Sequence, residues 1–156
     1  MKKTKRPTHA QGDKRKRPGP KQVVAGLILR EDPEHGQQIL ICQRTRHQSM
    51  PLKWEFPGGK IESGEQPRDA LRRELEEELG IVAIIGEEVA RIRHHYASGS
   101  SVELRFYVVS KYEGELENHI FKQVIWETPA ELPKYDFLEA DIDLVNRLAS
   151  GKLLVH

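Results

Sequence analysis

Residues 59–81 read Gly59-Lys60-Ile61-Glu62-Ser63-Gly64-Glu65-Gln66-Pro67-Arg68-Asp69-Ala70-Leu71-Arg72-Arg73-Glu74-Leu75-Glu76-Glu77-Glu78-Leu79-Gly80-Ile81. Ala70, Leu71, Leu75 and Leu79 recur at three- and four-residue intervals, which makes one apolar stripe. Pro67 stands where a first-turn proline is tolerated, and Gly80 closes the pattern as a C-terminal cap. The spacing predicts a helix over 66–79. That helix is unusually acidic. Glu74 and Glu78 are four apart and stack on one face, and Glu77 lies beside them. Like charges at these spacings repel. They also sit toward the C-terminal end, where the helix dipole disfavours anions. Hard divalent cations resolve both penalties, because Mg²⁺ and Mn²⁺ bind through carboxylates together with substrate phosphates. An isolated acidic face of this kind is more often simply solvated, so the surrounding sequence decides.

Upstream, Val23 to Leu29 is an apolar run of strand length. Asp32-Pro33-Glu34-His35-Gly36 supplies turn chemistry, and Gln38 to Arg44 alternates as the second strand of a hairpin. A loop from Thr45 to Lys53 leads into Trp54-Glu55-Phe56-Pro57-Gly58-Gly59-Lys60, where Pro-Gly-Gly predicts a strand end and a tight loop. Downstream, 82–85, 89–96, 102–110 and 124–126 read as strands. Glu127-Thr128-Pro129 begins a short turn or helix, and 140–148 reads as a final amphipathic helix. The expected class is α+β, a mixed sheet sandwiched between helices. His94 and His95 are neighbours on a strand and point to opposite faces, which makes them poor joint ligands.

The chain has 156 residues, enough for one domain with a tail. A single cysteine, Cys42, excludes an internal disulfide and a zinc cluster. No apolar run approaches the roughly 20 residues of a membrane span, and the N-terminus lacks the apolar stretch of a signal peptide. A cytoplasmic setting is expected. Residues 1–21 hold nine of the 25 Lys and Arg but one of the 24 acids, so the rest of the chain carries a net −7. Residues 1–21 therefore read as a disordered basic tail and residues 22–156 as the folded domain. Nucleic acid is not an expected partner of the acidic body; only the tail could reach it. A monomer or a homodimer fits equally well.

The skeleton of residues 59–81 is Gly, five residues, Glu, seven residues, Arg-Glu, an apolar residue, any residue, Glu-Glu, any residue, Gly and an apolar residue. It resembles the Nudix box at every defining position. From Gln22 onward, including Ile41-Cys42-Gln43-Arg44 and Lys53-Trp54-Glu55-Phe56-Pro57-Gly58-Gly59-Lys60-Ile61-Glu62, the chain is similar to the MutT branch, which contains 8-oxo-dGTP diphosphatases and CTP and modified-pyrimidine triphosphatases. The resemblance implies the Nudix fold and hydrolysis of a nucleoside triphosphate substrate to monophosphate and pyrophosphate, with Mg²⁺ (or Mn²⁺) as cofactor. It implies metal binding by Glu74, Glu77, Glu78 and the Gly58 carbonyl, and catalytic roles for Glu74, Arg73 and Glu77, with Glu74 a ligand or the base. It implies substrate binding by Arg44, Phe56 and Asp141. Arg44 and Phe56 can equally be a strand-end arginine and a core residue, and Asp141 a helix N-cap. One departure stands out. The further glutamate that some members carry before the residue equivalent to Trp126 is absent. Ile120 and Phe121 occupy its place, with Glu115 and Glu117 a few residues earlier. No residue around Tyr96 to Ser101 matches a purine-stacking position, so the resemblance does not extend to strict 8-oxoguanine specificity.

Overall fold

The computed structural model describes residues 19–156. The expected tail therefore falls largely outside the described residues. Its last residue, Lys21, already opens the first strand.

Strand β1 (Lys21–Asp32) is the spine of the molecule. It is buried from Val24 to Leu29, as a near-continuous apolar run demands when both sheet faces are covered. On one flank its residues 21–28 pair in parallel with β7 (Ser101–Val109). The other flank changes partner. Residues 23–25 pair with β4 (Gly58–Lys60), the Gly26 amide donates to the Pro57 carbonyl at 2.8 Å, and residues 29–32 pair with β2 (Gly36–Gln43). β3 (Trp54–Glu55) and β9 (Gln123–Glu127) extend the β2 side, and β6 (Glu88–His95) forms the outer strand beyond β7. Two short strands, β5 (Val82–Ile84) and β8 (Lys111–Glu113), make a separate ribbon.

Alternation along β1 and β7 sends side chains to two cores. Helix α1 (Pro67–Leu79) covers one face with Ala70, Leu71, Leu75 and Leu79, packed on Val24, Ile28, Cys42 and Tyr107. Full burial of each leucine contributes roughly 1.5–3 kcal/mol. Helix α2 (Ile142–Ser150) covers the other with Leu144, Val145 and Leu148, against Leu27, Phe106 and Val108. The expected α+β sandwich is present.

Three details differ from the sequence reading. Gly58–Lys60 forms a strand of its own rather than ending in a loop, because the bare glycine backbone can pair with β1. The final helix begins at Ile142, since residues 139–141 form a 3-10 turn; another 3-10 helix spans Pro129–Lys134. β8 is too short to carry a periodic signal. Among the described residues, no helix is long and apolar enough to cross a membrane.

Candidate active site

The site lies where β1 changes partner. β4 runs past the acidic face of α1, and two glycines allow a very close approach. A Cβ at Gly59 would lie 1.6 Å from Glu74 Oε2, so the Glu74 carboxylate occupies the space a side chain would need. A Cβ at Gly58 would lie 2.0 Å from the Val24 carbonyl oxygen. The Gly58 amide donates to Glu78 Oε1 at 3.1 Å. Backbone and carboxylates are thereby locked together.

The crowding shows in the acid strengths. Burial, then repulsion from Glu74 and Glu55, pushes Glu78 up to about 9 against the opposing Gly58 hydrogen bond. Burial pushes Glu74 up to about 7; Arg73 opposes the rise and Glu77 adds to it. Near neutrality Glu74 is therefore held partly protonated and Glu78 almost wholly so. Glu77 lies further out. Its side chain is 59% exposed and meets Arg73 Nη1 at 3.4 Å. Among the described residues, no three His, Cys, Asp or Glu side chains converge as a finished metal cage. Glu74 and Glu78 are brought together beside Gly58 and Gly59, and Glu77 stays at the rim. The donor set is nevertheless one of crowded hard carboxylate oxygens next to close backbone. That set fits Mg²⁺ or Mn²⁺, which would relieve the repulsion between them.

Arg73 frames this face. Its Nε donates to Glu65 Oε2 at 2.7 Å, and Nη2 donates to Glu65 Oε1 at 3.0 Å and to the Lys60 carbonyl at 3.1 Å. Its Nη1 reaches Glu74 and Glu77 at 3.4 Å each. One guanidinium thus ties the loop before α1, β4 and the helix together. The hydrogen bond from Arg73 holds Glu65 down at about 2. Arg73 acts on the glutamates from the side.

A cleft of about 210 Å³ opens next to Gly58 and Gly59 and runs to Phe56, Tyr96 and Asp141. Phe56 is a core residue that also borders the cleft. It is 3% exposed, packs on Phe106 and Phe137, and lines the cleft. Arg44 also lines it, with Nη1 on Glu55 Oε2 at 3.0 Å. Its Nε and Nη2 are held by the Ser49 carbonyl at 2.8 Å and Ser49 Oγ at 3.1 Å. Ser49 belongs to the 45–53 loop, where Met50 and Leu52 adopt positive φ angles of 50° and 63°.

Asp141 occupies the helix N-cap position of α2 but makes no capping bond. It is 2% exposed, and its Oδ1 has no hydrogen-bond partner. Burial, with repulsion from Glu55, pushes its carboxyl up to about 8. A buried, unpartnered polar atom is rare and costly, and this one lies on a cleft wall.

Two residues to which sequence reasoning assigned no role also belong here. Glu55 is the counterion of Arg44, and burial pushes its carboxyl above the usual carboxylate range despite Arg44. Its signal was visible as an acid between the apolar Trp54 and Phe56. Tyr96 lines the cleft and packs edge-on against His94 at 4.7 Å. His94 turns inward, 3.3 Å from Glu139 Oε1, while His95 is exposed, so the two diverge as their strand positions require. Glu117 is 71% exposed and sits 3.3 Å from His119 at the far end of α1.

Comparison with known proteins bears on the family and the fold. A protein-family model described as NUDIX domain matches residues 20–148. The chain is 39% identical over 124 residues to a CTP pyrophosphohydrolase of Escherichia coli, covering 80% of this chain and 87% of the relative. It is 37% identical over 127 residues to an 8-oxo-dGTP diphosphatase of Haemophilus influenzae, covering 81% and 90%. The solution structure of the Escherichia coli ORF135 protein superposes with a TM-score of 0.73 at 36% identity, covering 86% of this chain and 91% of that one.

Proposed function

The chain belongs to the Nudix hydrolase family, whose members cut phosphoric anhydrides, and on that premise we propose that it hydrolyses a nucleoside triphosphate to the monophosphate and pyrophosphate, with 8-oxo-dGTP as substrate. The observation that carries this reading is the unpartnered, buried Asp141 carboxyl on the cleft wall beside the glutamate face. Held near 8, it is largely neutral at pH 7 and offers one donor and one acceptor side by side. The outer edge of guanine presents two acceptors, O6 and N7. Oxidation at C8 places a hydrogen on N7, so the edge becomes a donor beside an acceptor. A neutral carboxylic acid matches the second pattern and mismatches the first. At about 210 Å³ the cleft is smaller than the roughly 300–1,000 Å³ of sites that hold whole drug-sized ligands. It suits a base between Phe56 and Tyr96, with the phosphates lying outside over Gly58, Gly59 and Lys60.

Glu74, Glu77, Glu78 and the Gly58 carbonyl would hold Mg²⁺ or Mn²⁺, which would neutralise phosphate charge and make a bound water more acidic. Glu74 takes the proton of the attacking water as general base. The water oxygen bonds to the β phosphorus. The bond from that phosphorus to the α–β bridging oxygen breaks, and the bridging oxygen leaves with the monophosphate. Arg73 keeps Glu74 and Glu77 from swinging away.

A second reading is CTP as substrate. The relative of that name supports it, and cytosine also presents a donor beside an acceptor. Steady-state hydrolysis of 8-oxo-dGTP, dGTP, CTP and 5-methyl-dCTP with Mg²⁺, scored for pyrophosphate against phosphate, separates the two. The expected result is pyrophosphate release, with 8-oxo-dGTP favoured over dGTP by about 10-fold or more in kcat/KM. A clear preference for CTP selects the second reading, and release of phosphate alone rejects both.

A further inference from the structure

The last four carbonyls of a helix have no partner within it. In α1 all four are satisfied, three of them by one short segment of the chain. The Gly80 amide donates to Glu76 O at 3.0 Å. The His119 ring donates through Nδ1 to Glu77 O at 3.0 Å. The His119 amide donates to Glu78 O at 3.0 Å, and the Glu117 amide donates to Leu79 O at 2.9 Å. The segment is shaped from within. Asn118 Oδ1 accepts from the amides of Ile120 at 3.2 Å and Phe121 at 2.8 Å, and Phe121 is anchored in the core under α1. The His119 ring lies so close to Gly80 that a Cβ there would stand 3.2 Å from its Cε1. α1 has no basic residue in its last turn, although Glu76, Glu77 and Glu78 crowd the end where the dipole disfavours anions. Compensation comes instead from residues about forty positions further along the chain.

We propose that His119 is a positioning residue, whose ring and amide hold the backbone of Glu77 and Glu78 and thereby aim their carboxylates at the divalent cation. The proposal rests on the metal-dependent reading above for its catalytic readout. Its binding readout does not need a nucleotide. The His119 side chain is 44% exposed, so truncating it leaves the core intact.

The test uses His119→Ala and His119→Asn; the amide nitrogen of asparagine can stand where Nδ1 stands. Mn²⁺ binding to the nucleotide-free protein is measured by electron paramagnetic resonance, and kcat and KM are measured with the preferred nucleotide. His119→Ala should weaken Mn²⁺ binding and lower kcat by roughly 10-fold each, the usual effect of losing a group that orients a ligand. KM should stay unchanged, and His119→Asn should restore both values to within about threefold. Mn²⁺ binding in His119→Ala equal to that of the unaltered protein overturns the proposal. So does a His119→Asn variant no better than His119→Ala. If the unaltered protein hydrolyses no nucleotide, the proposed function fails while the Mn²⁺ comparison still decides the role of His119.

Discussion

The acidic face of α1 and the cleft around Asp141 both hold carboxyl groups well above the ordinary carboxylate range, yet they are assembled in opposite ways. On α1 the groups come from one turn of one helix, and their values rise through burial and mutual crowding. In the cleft, Arg44, Glu55, Tyr96 and Asp141 arrive from four separate segments, and Asp141 is raised mainly by burial without a partner. The first arrangement stores repulsion that a cation can release. The second stores an unmet hydrogen bond that a ligand can complete. On the proposed function, charge handling would belong to one helix, and selectivity to converging loops and strand ends.

The sharpest way to break this division is Glu74→Gln. It should lower kcat by about 10²–10⁴-fold, the range for loss of a general base, with KM little changed. Turnover within tenfold of normal would remove the acidic face from the chemistry. Gly59→Ala comes next. Its methyl group must displace the end of the Glu74 side chain, so activity should fall by about 10-fold or more while thermal melting moves little. A large drop in melting temperature instead would show that the contact is a matter of packing.

On the cleft side the effects are smaller. Arg44→Ala leaves Glu55 without its counterion in a site where both side chains are under one-fifth exposed. Stability should fall by about 1–3 kcal/mol, and KM should rise more than kcat falls. Denaturant melts combined with kinetics check both. Asp141→Asn should show its effect on stability as a pH dependence rather than at any single pH. The Asp141 carboxyl is raised on folding, so its contribution to stability is fully present below about pH 4 and is lost as pH rises toward 8. Asparagine removes that loss, so the variant should gain stability over the parent progressively across this window. A difference that is flat from pH 4 to 8 would contradict a buried, titrating Asp141.

The same contrast explains what could be read from residues alone. The helix, its apolar stripe, its glycine cap and its glutamates lie in one contiguous stretch whose periodicity is local, and α1 matches it to within one residue. β4 and β8 are three residues each and exist only because β1 and β5 pair with them. No local pattern announces such strands. Glu55 stands in plain view beside Trp54, but its importance depends on Arg44 eleven residues away. Asp141 could be placed at the start of the last helix, yet nothing local shows that its side chain turns away from capping. The metal-binding role of Glu77 follows from its place in the box, whereas its side chain stands 59% exposed at the rim.

β1 belongs to both halves at once. It touches β7 along one flank and β4 then β2 along the other, and it supplies wall residues to the cleft as well as the floor beneath α1. A strand so enclosed opens only at close to the full free energy of unfolding. Heat should therefore not strip away selectivity first and reactivity later. The temperature at which the protein stops working and the temperature at which it melts should coincide.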